Sequence, residues 1–256
     1  MTTIAVAETP LLSALLARAD DALVHAHRLS EWMGRAPMLE EDLALGNVAL
    51  DLLGQARNLY AHAAAIEGAG RTEDDLAYLR DAPQFRNLLL LEQPNGDFAQ
   101  TIVRLLLHAA FALPWWQAAT GSADATIAAI AAKAEKEAAY HLRHAAEWTI
   151  RLGDGTAESH ARAAAALDAL WRFTREMFAP GPGEAALAEA GILPDPAAIR
   201  PAWEATIARV LAEATLERPA DGWMHMGGRR GVHTEHLGHM LAVMQHLQRA
   251  YPGATW

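Results

Sequence analysis

Apolar residues recur at intervals of three and four through most of this chain, and no stretch alternates in the period-two manner of a half-buried strand. The pattern predicts an all-α protein. Thr9 and Pro10 supply a cap and a first position for a helix running to about Trp32, halted by Gly34 and Pro37. Glu40, Glu41 and Asp42 load the first turn of a second helix with negative charge, favourable against its dipole, and this helix should end near Gly68 or Gly70. Thr72 and Asp75 make a weak capping box for a short helix. Pro83 and the run NLLLLEQPNGD (87–97) break the pattern, with Asn95-Gly96 as a turn. A third long helix is expected from Asp97 to Ala119, kinked at Pro114, and a fourth from a Ser122 cap to Leu152, stopped by Gly153. Thr156 caps a fifth, ending at Phe178. After PGPG (180–183), Asp195-Pro196 opens a helix that ends before Pro219, and Thr234 caps a last one reaching Arg249. The piece beyond PGPG is small for an independent unit, so residues 1–256 are expected to form a single domain, a bundle of about seven helices.

Two of these helices carry a polar stripe through apolar surroundings: Asn47, Asp51 and Gln55 on the second, Lys133, Glu137 and His141 on the fourth. Residues four apart share one face of a helix, and the neighbours Val48, Leu52, Ala134, Ala138 and Leu142 turn these faces toward packed surroundings. Polar groups there must find partners. A carboxylate-bridged dimetal site in a bundle needs a Glu from each of two helices and Glu-x-x-His from two others, because that spacing brings both side chains to one metal. Asn47-x-x-Leu50, Asp51-x-x-Gly54 and Glu137-x-x-Tyr140 all lack the imidazole; His141 stands one residue too far, and Lys133 would repel a dication. The six residues are therefore expected to form a buried network of ion pairs and hydrogen bonds, with Asp51 or Glu137 neutralising Lys133 and with no metal ligand, catalytic residue or cofactor contact among them. An atypical dimetal oxidase built on Asp51, Glu137 and His141, with Asp21 or His108, is the alternative.

Composition narrows the field. The 256 residues are 52% hydrophobic, enough for a large core. A formal charge of -10 disfavours nucleic acid and anionic membrane as partners. The absence of cysteine removes disulfides, iron–sulfur clusters and thiolate zinc sites. The start, MTTIAVAETPLLSALLARADD, lacks a basic segment ahead of an apolar core, and no apolar run is read as membrane-spanning, so a cytosolic protein is expected. With neither a Gly-x-Ser-x-Gly elbow nor a thiol, hydrolase chemistry has no anchor. His233, His236 and His239, beside Glu235, offer three imidazoles for zinc, but steps of three drift around a helix, so surface or interface positions are expected. GGRRGVH (227–233) is a basic glycine-rich loop suited to a phosphate, a coenzyme A tail or an acidic partner, although it lacks a P-loop ending and a preceding strand. A zinc or coenzyme A module centred on Arg229, Arg230 and the His233 cluster is thus a third reading. Tryptophans such as Trp115, Trp116, Trp171 and Trp256 suit either a core or an interface.

Five blocks carry a family resemblance: LSEWMGRAPMLEEDLALGNVALDLLGQARN (29–58), QFRNLLLLEQPNGDFAQTI (84–102), KEAAYHLRHAAEWTIRLGDGT (136–156), LWRFTREMF (170–178) and GVHTEHLGHMLAVMQHLQRAYPG (231–253). In this order they resemble the family of structural components, the C components, of bacterial ring-1,2-phenylacetyl-CoA epoxidases over nearly the whole chain. The resemblance implies a ferritin-like helical bundle with additional C-terminal helices and a degraded dimetal site. It also implies a noncatalytic structural subunit without a cofactor of its own. Such a subunit pairs with a homologous catalytic partner, the A component, which carries a di-iron centre and binds phenylacetyl-CoA. A small B component and a flavin and iron–sulfur reductase complete the system, which inserts one oxygen atom of O₂ into the aromatic ring with NADPH as electron source.

Overall fold

The computed structural model of the chain describes residues 3–254, which hold eleven α-helices and no strand. In chain order they are α1 (Pro10–Ser30), α2 (Leu39–Glu67), α3 (Glu73–Tyr78), α4 (Leu89–Glu92), α5 (Phe98–Ala119), α6 (Ala125–Gly153), α7 (Ala157–Trp171), α8 (Glu184–Glu189), α9 (Arg200–Glu213), α10 (Glu235–Met244) and α11 (His246–Ala250). The four long helices make the bundle: α1 lies along α2, α5 lies along α6, and α2 meets α6 across the middle. Helices α7 and α9 pack on α5 and α6, and one apolar core runs through all of them.

Local sequence explains most of the boundaries. Thr9 caps α1 by accepting from the Leu12 amide, and the Thr72–Asp75 box at α3 is complete in both directions. α2 ends on Gly68 with φ of 67°, a left-handed conformation that glycine adopts without strain. Asp124, not Ser122, caps α6: its carboxylate accepts from the amides of Thr126 and Ile127, while the Ser122 hydroxyl donates to the Ile192 carbonyl. Gly153 is the last residue of α6, not its stop, and it must be small because a Cβ there would lie 2.1 Å from the Ala214 carbonyl oxygen where the ends of α6 and α9 touch.

Three expected helices are shorter or broken. The Thr156 helix stops at Trp171, whose indole donates to Asp221 at 3.0 Å, and a 3₁₀ turn at Arg175–Phe178 replaces its last turns. Asp195-Pro196 opens a 3₁₀ turn before α9 begins at Arg200. The last helix divides at Gln245, whose side chain turns inward to donate to the carbonyls of Ala77 and Arg80, both at 3.0 Å. α5 runs through Pro114 and, contrary to expectation, is long and apolar enough to cross a membrane, although most of it is buried against α6, α7 and α9. Its apolar character on every side is what a central bundle helix requires.

Candidate functional site

α2 and α6 run antiparallel, and a row of polar side chains ties them together. Glu41 Oε2 stands 3.2 Å from His144 Nε2, and Asp51 Oδ2 stands 3.1 Å from His141 Nε2. Gln55 Nε2 donates to Glu137 Oε2 at 2.9 Å, and Lys133 Nζ lies 3.3 Å from Glu137 Oε1. Beyond them His62 Nε2 and Asp124 Oδ2 are 3.0 Å apart. Five of the six stripe residues therefore meet here, and Glu137 rather than Asp51 neutralises Lys133. Asn47 does not join: it is exposed on the outer surface of α2. Four helical steps overshoot a full turn by about 40°, so Asn47 is rotated about 80° from Gln55, which carries it out of the seam. Gln55 and His141 are buried and Asp51 and Glu137 half-buried, whereas the Lys133 side chain is 68% exposed. The seam is thus deep at His141 and open at Lys133. Burial lowers the basicity of His144 despite the opposing charges of Glu41 and Glu147.

Behind the seam sits a second group of imidazoles. His25 of α1 is wholly buried, neither of its ring nitrogens has a hydrogen-bond partner, and its ring packs edge-on against His108 of α5 at 5.1 Å. Burial is the main reason that both lose basicity, His25 well below the ordinary histidine range and His108 down to about 4. Asp21 opposes the shift at His108, while His141, Arg229 and Arg18 add to it. Both rings are therefore neutral at pH 7. As ligands for the two metals of the atypical oxidase alternative, these residues do not fit. Glu137 is shared by Lys133 and Gln55, His141 turns its Nε2 to Asp51, and Asp21 is saturated by Arg229 at 2.7 and 3.0 Å and by the Leu88 amide at 2.7 Å. Among the described residues, no group of three or more His, Asp or Glu side chains is arranged to hold a metal ion.

The basic loop is also built differently from a ligand cradle. Arg229 is buried, and besides Asp21 it donates to the carbonyls of Ala17 at 3.1 Å and Arg86 at 2.7 Å. Only Arg230 of the pair is exposed. The glycines serve close packing: a Cβ on Gly228 would lie 2.0 Å from the Asn87 carbonyl oxygen. His233, expected at a surface or interface, is instead inside, between Glu92 Oε2 at 2.8 Å and the Phe85 carbonyl at 2.9 Å. The cause is Glu92, a fully buried carboxylate that draws in Asn87, His233 and both the amide and hydroxyl of Thr234. Burial alone would lower the basicity of His233, but the hydrogen bond and charge of Glu92 raise it. His236 is half-buried and His239 exposed, so the three imidazoles do not gather.

Another buried trio was not foreseen: Arg80 and Tyr60 both donate to Asp20, and all three side chains are almost completely enclosed. Of the tryptophans, Trp115 and Trp116 pack edge-on at 4.8 Å in the core and Trp171 lies against Trp203 at 5.5 Å. Trp223 is exposed, and Trp256 lies outside the described residues.

Residues 1–256 match the protein family described as "Phenylacetic acid catabolic protein". The chain belongs to this family. One relative, the C component of the 1,2-phenylacetyl-CoA epoxidase of Escherichia coli (strain K12), is 51% identical over 237 residues, covering 93% of this chain and 95% of that protein. The chain is accordingly a phenylacetate-catabolism protein with the ferritin-like helical fold, in which α1, α2, α5 and α6 are the bundle helices and α7 to α11 are packed outside and after them.

Proposed function

We propose that this chain is the noncatalytic structural subunit of a phenylacetyl-CoA epoxidase. In this reading it pairs in the cytoplasm with the di-iron catalytic subunit, with the small B component and a flavin and iron–sulfur reductase in the same system. The observation that carries the reading is Lys133. Its ammonium, 3.3 Å from Glu137 Oε1 at the open end of the α2–α6 seam, sets a positive charge beside the carboxylate that a dication on this face would need. Gln55 donates to the other oxygen of the same carboxylate, so each of its oxygens already has a protein partner. Side-chain pairing does here what metal coordination does in a working bundle site. The remaining role is mechanical: a subunit that binds the folded form of its partner stabilises that form by mass action.

The test is to express the chain alone and together with the catalytic subunit, and to assay iron and oxidation of phenylacetyl-CoA. About two irons should accompany each catalytic subunit in the pair. The chain alone should hold iron only in traces, and the catalytic subunit without it should lose solubility or activity. Stoichiometric iron with oxygen-dependent turnover by the isolated chain, or full activity of the catalytic subunit on its own, would overturn the proposal.

A further inference from the structure

The outer face of α2 is unusual for a protein in which 20% of residues are charged. From Leu43 to Ala56 the helix carries no Lys, Arg or Glu and a single Asp, Asp51, which is engaged by His141. Leu43 is 57% exposed, Leu50 66% and Leu53 44%, and Met33 beside them is 57% exposed. These side chains, with Ala26 and Ser30 of α1, line an open groove of about 380 Å³ between α1 and α2. Apolar surface this concentrated is rarely left to water in a monomer.

On the opposite flank of α2 the surface changes character. Lys133, Lys136 and Arg143 project from the exposed side of α6, with Tyr140 between them and the Arg143 guanidinium 5.5 Å from its ring. The ridge abuts α2 directly, since Lys133 Nζ is 3.9 Å from where a Cβ of Gly54 would stand. The carboxylates at its foot, Glu137 and Asp51, are already paired with Lys133 and His141, and although the exposed Glu147 stands one turn beyond Arg143, Lys136 and Arg143 leave the ridge with an excess of positive charge. A basic ridge on a chain of net charge -10 is an electrostatic island. An apolar groove beside a cationic ridge is complementary to a surface of apolar side chains bordered by carboxylates. A second copy of this chain related by a two-fold axis that crosses the ridge would set the same cations against it, not carboxylates.

We infer that the α1–α2–α6 face is the docking surface for the catalytic subunit of the same complex. That partner inserts apolar side chains of a helical face between α1 and α2 and sets carboxylates against Lys136 and Arg143. The inference rests on the reading of the chain as a structural subunit and adds to it the surface and the chemistry of its occupant.

The experiment measures binding of the purified catalytic subunit to the full chain and two double variants by biolayer interferometry. Leu50→Asp with Leu53→Asp changes only exposed positions, and circular dichroism and the thermal midpoint check that the fold is kept. It should weaken binding by about 100-fold or more, as expected for charges driven into the centre of an interface. Lys136→Glu with Arg143→Glu should slow association about tenfold at low salt, a difference that shrinks at high ionic strength. Unchanged affinity in Leu50→Asp with Leu53→Asp overturns the assignment of this face while the pairing itself stands. Failure of the unmodified chain to bind the catalytic subunit sinks both readings. A wild-type self-association that the leucine variant abolishes, with binding to the catalytic subunit intact, reassigns the face to a contact between copies and overturns the inference.

Discussion

Replacing Arg229 by methionine isolates the contribution of one buried cation, and the structure allows its size to be worked out. The guanidinium makes four contacts: two to Asp21 at 2.7 and 3.0 Å, and one each to the carbonyls of Ala17 and Arg86. Methionine fills similar volume but leaves Asp21 buried without its main counter-charge. Removing one partner of a buried pair typically costs about 3 to 5 kcal/mol. Asp21 keeps the Leu88 amide and, at 3.6 Å, Arg18, which places the expected loss near the lower end, at roughly 3 kcal/mol. For a chain of this length that corresponds to a midpoint lowered by about 6 to 12 °C, or by roughly 1 M in urea. Arg230→Ala, one residue along but exposed, should stay within about 0.5 kcal/mol of wild type. Urea unfolding followed by circular dichroism, with the slope held constant across variants, measures both. If Arg229→Met unfolds within about 1 kcal/mol of wild type, the arginine is not a structural pin and a ligand role for the loop revives.

Acid should expose the interior imidazoles. His108 is held down to about 4 in the fold against an unfolded value near 6.5, so it binds fewer protons folded than unfolded between those values. Stability is therefore lost as pH falls from about 6.5 toward 4, by up to about 3 kcal/mol from this group, and His108→Gln should flatten the pH slope of urea stability over that window. His233 runs the other way. Its raised basicity gives stability that is complete below about pH 6.5 and fades as pH rises through its folded value, so His233→Gln should lose most of its deficit in alkaline buffer. Gly153→Ala drives a methyl group into the Ala214 carbonyl and should cost at least about 2 kcal/mol in thermal or urea unfolding; a neutral result would mean that the α6–α9 contact yields easily. Gln55→Glu sets a second carboxylate against Glu137 and should destabilise by about 1 to 2 kcal/mol at pH 8, with recovery by pH 5 as one of the two takes up a proton. A pH-independent effect there would show that the two side chains do not touch.

The long helices and their starts were readable because their determinants are local. Thr9-Pro10, the acidic turn at Glu40 to Asp42 and the Thr72–Asp75 box each act within one turn of chain. The polar seam was readable because a four-residue stripe survives for about two turns; Asn47 was lost to the same helical drift that the rule neglects. The misplaced boundaries have tertiary causes. Ser122 is diverted to Ile192 and Gln245 to the carbonyls of Ala77 and Arg80, whereas Thr234 stands at the expected start of its helix with its hydroxyl turned to Glu92. The same holds for the interior charges. Asp20 pairs with Arg80 sixty positions away and Asp21 with Arg229 at a separation of 208, distances over which no periodicity carries information. A basic loop with three glycines looked like a phosphate cradle because the sequence does not show which way Arg229 points. The one available signal was α1 itself, where Arg18 and Asp20 fall on opposite sides of an otherwise apolar helix that also carries Asp21, His25 and Arg28, and all five are buried.

The Arg229–Asp21 clasp sets a schedule for biosynthesis. Asp21 of α1 is synthesised 208 residues ahead of the arginine that neutralises it. In that interval Asp21 has only Arg18 and the Leu88 amide to hold it, so the nascent polypeptide carries an incompletely paired interior charge until the Arg229 loop emerges, a state open to misfolding and to holding chaperones.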